Sequence, residues 1–197
     1  MAKTIITLGR EYCTGGRYIA EDVANALGIK LYDKELITMA AKHSGLSEEA
    51  VAASEKRHTH SLLYSLYTMG NELPLGDQVF ILQSRIIKQL AEEGPCVILG
   101  RCADEILRKA GIESLNVFIH ADEIHRAVRA SEITGCTNAT ELQRMLARRD
   151  SRRHNYYTHY TGKKWGDSHN YHLSLDSGAL GYDLCVKLIV EAAKTME

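Results

Sequence analysis

Short apolar runs separated by helix-length amphipathic segments constrain this chain more than any other feature. Thr4–Leu8, Lys30–Tyr32, Cys96–Leu99 and Asn116–His120 read as strands, with His172–Leu175 a weaker fifth. Three of these runs are continuously apolar, the pattern of strands covered on both faces. Between them the period changes to that of a helix. Tyr18–Leu27 puts Ile19, Val23, Ala26 and Leu27 on one face and stops at Gly28. Gln78–Glu93 repeats Val79, Leu82, Ile86 and Leu90, then meets the stop signal Gly94-Pro95. Thr140–Tyr160 and Asp183–Ala193 complete the helical segments. This alternation predicts an α/β fold: a three-layer parallel sheet of about five strands with right-handed crossovers. Two stretches interrupt it. Asp33–Asp77 predicts a helical insertion, and residues 135–171 form a second strand-free region, charged and rich in tyrosine.

At 197 residues the chain suits one domain with a sizeable core. Its net charge of −1 means that an anionic partner must be held by local clusters of cations rather than by a global field. Five cysteines, with no Cys-x-x-Cys pair, predict free thiols in a reducing compartment. No apolar stretch reaches the roughly 20 residues that span a bilayer. The sequence therefore predicts a soluble cytoplasmic protein with no membrane association.

Three motifs carry chemistry. The first is "LGREYCTGGRYIA", residues 8–20, a strand, a glycine-bearing loop and a helix in succession. Such a loop aims backbone N–H groups and a helix N-terminus at an anion. The lysine and hydroxyl pair of the usual phosphate loop is replaced by Gly16 and Arg17, preceded by Thr14 and Gly15. Arg17 is the candidate to carry the displaced charge. An ordinary glycine turn is the competing interpretation. The second motif, "CVILGRCADEI" at 96–106, ends a buried strand in Gly100-Arg101, where α/β proteins bind ligands. The third, "ELQRMLARRDSRRHNYY" at 141–157, places Leu142, Met145, Leu146, Arg149, Arg153 and Tyr156 on one helical face, with Arg152 at its edge. Arginines on a buried face call for anions, and polyphosphate and nucleic acid are the alternatives. "YTGKKWGD" sets Lys163, Lys164 and Trp165 between glycines, as a lid tip or a polar turn. The histidines lack the carboxylate or thiol company of a metal site, and no serine sits beside a base at a strand end.

The stretches "ITLGREYCTGGRYIAEDVANALGIKLYDKELI", "VILGRCADEIL" and "RRDSRRHNYYTHYTGKKWGDSHNYHLSL", with the helix after "DSGALGYD", resemble the cytidylate kinase-like branch of the P-loop nucleoside monophosphate kinases. The resemblance implies a core of residues 1–33, 91–136 and 172–197, a monophosphate-binding insertion at about 34–90 and a lid at about 137–171. It implies ATP and Mg2+ as cosubstrates and a nucleoside monophosphate, CMP or dCMP, as acceptor, with no nucleic acid involved. Carried over by position, Thr14, Gly15, Gly16 and Arg17 cradle the donor phosphates. Asp33 and Arg101 hold the acceptor. Arg149 and Arg153 touch the transferring group with Arg17, and Arg152, Lys163 and Lys164 belong to the lid. Glu11, Asp33 and Asp104 are the candidate magnesium ligands. The sequence departs from the well-characterised cytidylate kinases in lacking the loop lysine and in having Cys102 after the Gly-Arg pair. Two rivals follow from those departures: a nucleotide-binding module without catalysis, and a kinase for another small acceptor. An RNA-binding α/β domain is a third.

Overall fold

The structure, a computed structural model, describes residues 4–33, 36, 38, 39, 42 and 74–196. The strands β1 (Ile6–Arg10), β2 (Lys30–Tyr32), β3 (Cys96–Leu99), β4 (Leu115–His120) and β5 (Leu173–Asp176) form one all-parallel sheet, ordered β2-β3-β1-β4-β5. Around it lie α1 (Gly16–Leu27), α2 (Leu75–Glu93), α3 (Ala103–Lys109), α4 (Glu123–Thr134), α5 (Ala139–Thr161), α6 (Ser177–Leu180) and α7 (Tyr182–Thr195). Residues 36, 38, 39 and 42 are helical, and the rest of the predicted insertion between 34 and 73 lies outside the described residues.

Period-2 alternation divides the strand side chains between two cores. Ile6, Leu8, Val97, Leu99, Leu115, Val117 and Ile119 pack with Ile19, Val23 and Ala24 of α1 and Cys185 and Ile189 of α7. On the opposite face Ile5, Cys96 and Ile98 pack with Ile86, Ile87 and Leu90 of α2, Ile106 and Leu107 of α3, and Tyr157 of α5. Those two layers of helices on one parallel sheet are the three-layer arrangement the alternation predicts.

Strand β1 begins and ends two residues later than predicted. Gly9 and Arg10 continue the ladder because they pair with Phe118 and Ile119 of β4. Gly9 also makes room for a ring, since a Cβ there would stand 2.9 Å from Phe118 Cδ2. The C-terminus of α1 closes as the sequence predicts, with Gly28 left-handed at φ 65° and its N–H bonded to the carbonyls of Ala24 and Asn25. All five cysteines are free thiols, with Cys96, Cys102 and Cys185 buried. Among the described residues no helix is long and apolar enough to cross a membrane.

Candidate active site

A parallel sheet brings all its carboxyl ends to one edge, so Arg10, Asp33 and Gly100-Arg101 become neighbours although far apart in sequence. Arg10 ends the central strand. Its carbonyl accepts a 2.8 Å hydrogen bond from Arg153 Nη1 of α5. Its Nη2 lies 4.0 Å from Asp33 Oδ1, just past the end of β2. Arg17 Nε approaches the other carboxylate oxygen of Asp33 at 3.5 Å. A cation in the first turn of α1 opposes the helix dipole, and that contact offsets the repulsion. Burial, together with the guanidiniums of Arg153, Arg101 and Arg17, pushes Arg10 down to about 9, while Asp33 opposes the shift.

The two glycines of the loop each make room for a side chain, Arg10 on one flank and Tyr182 on the other. A Cβ on Gly16 would stand 2.7 Å from Arg10 Cβ and 2.9 Å from its Cγ. Gly15 caps α1 in the left-handed region at φ 71°, and a Cβ there would fall 2.2 Å from the Tyr182 ring. Gly100 meets the far end of Arg10, with Nη1 2.6 Å from the place of a Cβ. Gly100, Arg101 and Cys102 are all left-handed, at φ 78°, 61° and 55°. Two consecutive non-glycine residues there store strain, which tends to collect at functional sites.

The loop between β1 and α1 is clamped from both sides. The Glu11 amide extends the β-ladder by donating to Ile119 O at 3.0 Å. The next amide, of Tyr12, donates to Asp150 Oδ1 of α5 at 2.7 Å. Arg126 of α4 joins the second oxygen of Asp150 to Glu11 Oε2. Glu11 also accepts from the Ala121 amide, and burial pushes its carboxyl up. The Thr14 hydroxyl donates to Glu11 O, and Ser177 Oγ of α6 donates to Thr14 O at 2.8 Å. Arg149 and Arg153 lie over the Tyr12 ring, 5.4 and 5.8 Å from its centroid.

A cavity of about 220 Å³ lies on the other flank of the loop. Thr14, Val128, Arg129, Ser177, Gly178 and Tyr182 are among its lining residues. The buried Nε of Arg129 has no hydrogen-bond partner among the described residues.

The edge thus gathers Arg17, Asp33, Arg101 and Arg153, together with Thr14, Gly15 and Gly16. It does not gather every candidate. Arg149 is exposed rather than inward-facing, and Arg152 is half-buried. The inward line of α5 runs from buried Leu142 and Leu146 through the half-buried Asp150 and Arg153 to buried Tyr157, so Asp150 and Tyr157 stand where the sequence predicts Arg149 and Tyr156. Lys163 is held by the buried Glu105 at 2.8 Å, and Trp165 packs edge-on to Phe118, so "GKKW" is fastened to the core. Lys164 is exposed, its carbonyl accepting from Asn170. Asp104 accepts from the Tyr157 hydroxyl at 2.7 Å, and Glu11, Asp33 and Asp104 each serve different partners. Among the described residues no three His, Cys, Asp or Glu side chains converge as a metal site. Arg10, Asp150, Arg126, Arg129 and Tyr182 were not singled out by the sequence. The available signal was Arg10 itself, an arginine closing an apolar strand beside a glycine.

Known proteins bear on this arrangement in two ways. No curated protein matches the chain. Among solved structures, an uncharacterized protein from Eubacterium ventriosum ATCC 27560 is 26% identical, with a TM-score of 0.74 over 98% of this chain and 99% of that one. A gluconokinase from Sinorhizobium meliloti 1021 is 14% identical, with a TM-score of 0.55 over 98% and 95% of the two chains. A shikimate kinase from Bacteroides thetaiotaomicron is 13% identical, with a TM-score of 0.54 over 98% and 97%. These last two share the α/β fold of P-loop kinases. A family model matches residues 5–179, which take in every element from β1 through β5 and most of α6. With that span and that fold, the chain belongs to the cytidylate kinase-like family.

Proposed function

We propose that the protein is an ATP-dependent phosphotransferase whose small acceptor already carries an anionic group, a nucleoside monophosphate and first of all CMP or dCMP. The observation that carries this reading is the convergence of Arg17, Arg101, Arg153 and Asp33 on Arg10 at the carboxyl edge of the sheet. Phosphoryl transfer spreads negative charge over the equatorial oxygens, and fixed guanidiniums stabilise that charge without reorganising. A monophosphate oxygen is already a nucleophile and needs no base. A hydroxyl acceptor needs a group to take its proton, and Asp33, the carboxylate beside Arg10, is tied to two guanidiniums. That difference favours a phosphorylated acceptor over the sugar-acid and polyol type of acceptor that gluconokinase and shikimate kinase are named for.

In this reading the cavity beside Thr14 and Arg129 receives the donor nucleoside, and Gly15, Gly16 and the first turn of α1 face its phosphates. Arg101 and Asp33 face the acceptor. The segment at about 34–90 covers the acceptor, and 137–171 forms the lid. The described carboxylates fit a resident magnesium poorly, because Glu11, Asp33 and Asp104 are each engaged by arginine or tyrosine. Charge neutralisation is therefore assigned to the arginines together with a magnesium ion that would be held chiefly by the ATP phosphates.

A coupled assay of ADP release tests the proposal, using ATP with CMP, dCMP, UMP, AMP, GMP, gluconate and shikimate. Turnover is expected with CMP or dCMP. Arg101→Ala should raise the acceptor KM by roughly tenfold or more, the loss of one charge-assisted contact, with little effect on the KM for ATP. Binding of ATP without ADP release for any acceptor would overturn the kinase reading in favour of a non-catalytic nucleotide-binding module.

A further inference from the structure

We propose that Arg10 is a direct phosphate ligand, the cation of this loop in place of a lysine. The geometry follows the side chain from root to tip. Its Cβ and Cγ lie against Gly16, at the start of α1, and its Nη1 lies against Gly100, at the start of the Gly100-Arg101 turn. The side chain therefore runs from the first residue of α1, against which its root packs, to the carboxyl end of β3, where its guanidinium lies. Both glycines are occupied by Arg10 and not by open space, and residues with side chains at 16 and 100 would displace it. Arg153 fixes the backbone from which it springs.

A purely structural arginine would be expected in a close ion pair. Arg10 instead holds Asp33 only at 4.0 Å, at the outer limit of such a contact, and Arg17 shares the same carboxylate. Three further guanidiniums act on it repulsively. Keeping a partly buried cation among like charges costs free energy that an anion of two or more charges would recover. A phosphoanhydride or phosphomonoester fits a planar guanidinium with parallel N–H donors. Arg17, the sequence's candidate for the displaced lysine, is half-exposed at 55% and turns to Asp33, while Arg10 is 19% exposed. The two arginines thus divide the work: Arg10 binds phosphate, and Arg17 positions Asp33.

The proposal rests on the phosphotransferase reading only for the identity of the natural ligand. Calorimetric titration with pyrophosphate and with ATP tests it on the full chain, comparing wild type with Arg10→Met and with Arg148→Met, an exposed arginine of α5 outside the site. Arg10→Met should weaken pyrophosphate about 30-fold, the loss of a charge-assisted bidentate contact, while Arg148→Met leaves it unchanged. Affinity within twofold of wild type in a folded Arg10→Met overturns the proposal. A second measurement needs no variant: phenylglyoxal modification of wild type, mapped by peptide mass spectrometry. Pyrophosphate should slow modification at Arg10, and an equal rate with and without it overturns the proposal whatever the variant does. Loss of binding in Arg10→Met with no turnover by wild type would sink the kinase reading and leave this one standing.

Discussion

Gly16 shows how a residue that looks like loop chemistry can be a packing requirement. It occupies the first helical position of α1 with ordinary helical backbone, where alanine is favoured by about 1 kcal/mol. Propensity alone predicts that Gly16→Ala stabilises the protein. The structure predicts the reverse, because the new methyl would stand 2.7 Å from Arg10 Cβ, an atom at the root of a side chain that cannot swing away. Overpacking of this kind costs on the order of 1–3 kcal/mol. Gly28→Ala is the control. It meets nothing within 4 Å and pays only for the left-handed φ of 65°. Urea unfolding and pyrophosphate titration should separate them: both variants lose stability, and only Gly16→Ala loses pyrophosphate affinity. A stabilised Gly16→Ala would show that Arg10 does not depend on that space. Arg10 itself was hard to read from sequence. An arginine at a strand end usually ends in solvent, and its neighbours Gly16 and Gly100 are brought to it only by the sheet.

At the scale of elements, α5 decides the shape of the loop. Asp150 takes the Tyr12 amide on one oxygen and Arg126 on the other, so one carboxylate couples α5, α4 and the phosphate-facing loop. Asp150→Ala strands a loop amide and leaves Arg126 with Glu11 at 3.5 Å. A cost of about 1–3 kcal/mol follows from the unsatisfied donor and the half-lost pair. Asp150→Asn keeps an acceptor for Tyr12 and should lie between Ala and wild type in urea unfolding. Equal stability of all three would mean that the clamp contributes nothing. The sequence hid this contact for a physical reason. Seeking anion-binding arginines, the 3.6-residue period selects Arg149, whereas the helix buries its 150 side and leaves Arg149 exposed over the Tyr12 ring. The strands and the longer helices were legible because burial on two faces, or on one stripe, leaves a period. Helix α3 has only seven residues. Helix α4 buries Ala130 alone and exposes Ile124, Val128 and Ile133, so its apolar positions do not mark the face that packs.

The whole molecule carries a net charge of −1, yet its sheet edge concentrates arginine. That local excess is a liability for the ligand-free fold. Burial and the neighbouring guanidiniums push the pKa of Arg10 down from its ordinary 12.5, the sign of a charged form that costs free energy in the folded state. A guanidinium stays protonated at neutral pH, so the folded protein bears that electrostatic cost there in full. A bound anion removes that cost by pulling the folded pKa back up. Anion binding should accordingly appear as stability: about 2.7 kcal/mol at a ligand concentration 100 times Kd, or roughly 5–10 °C in Tm for a chain of this size. Thermal scans at pH 7 with sodium pyrophosphate, against sodium chloride at matched ionic strength, measure it. The shift should shrink as chloride is raised, because exposed Arg17 is screened before the more buried Arg10, Arg101 and Arg153. A single-stranded RNA oligonucleotide, which needs a broad basic surface rather than four convergent guanidiniums, should leave the pyrophosphate shift in place. A Tm that moves equally in pyrophosphate and chloride would mean that the arginines are held by the fold for its own sake, with no ligand to relieve them.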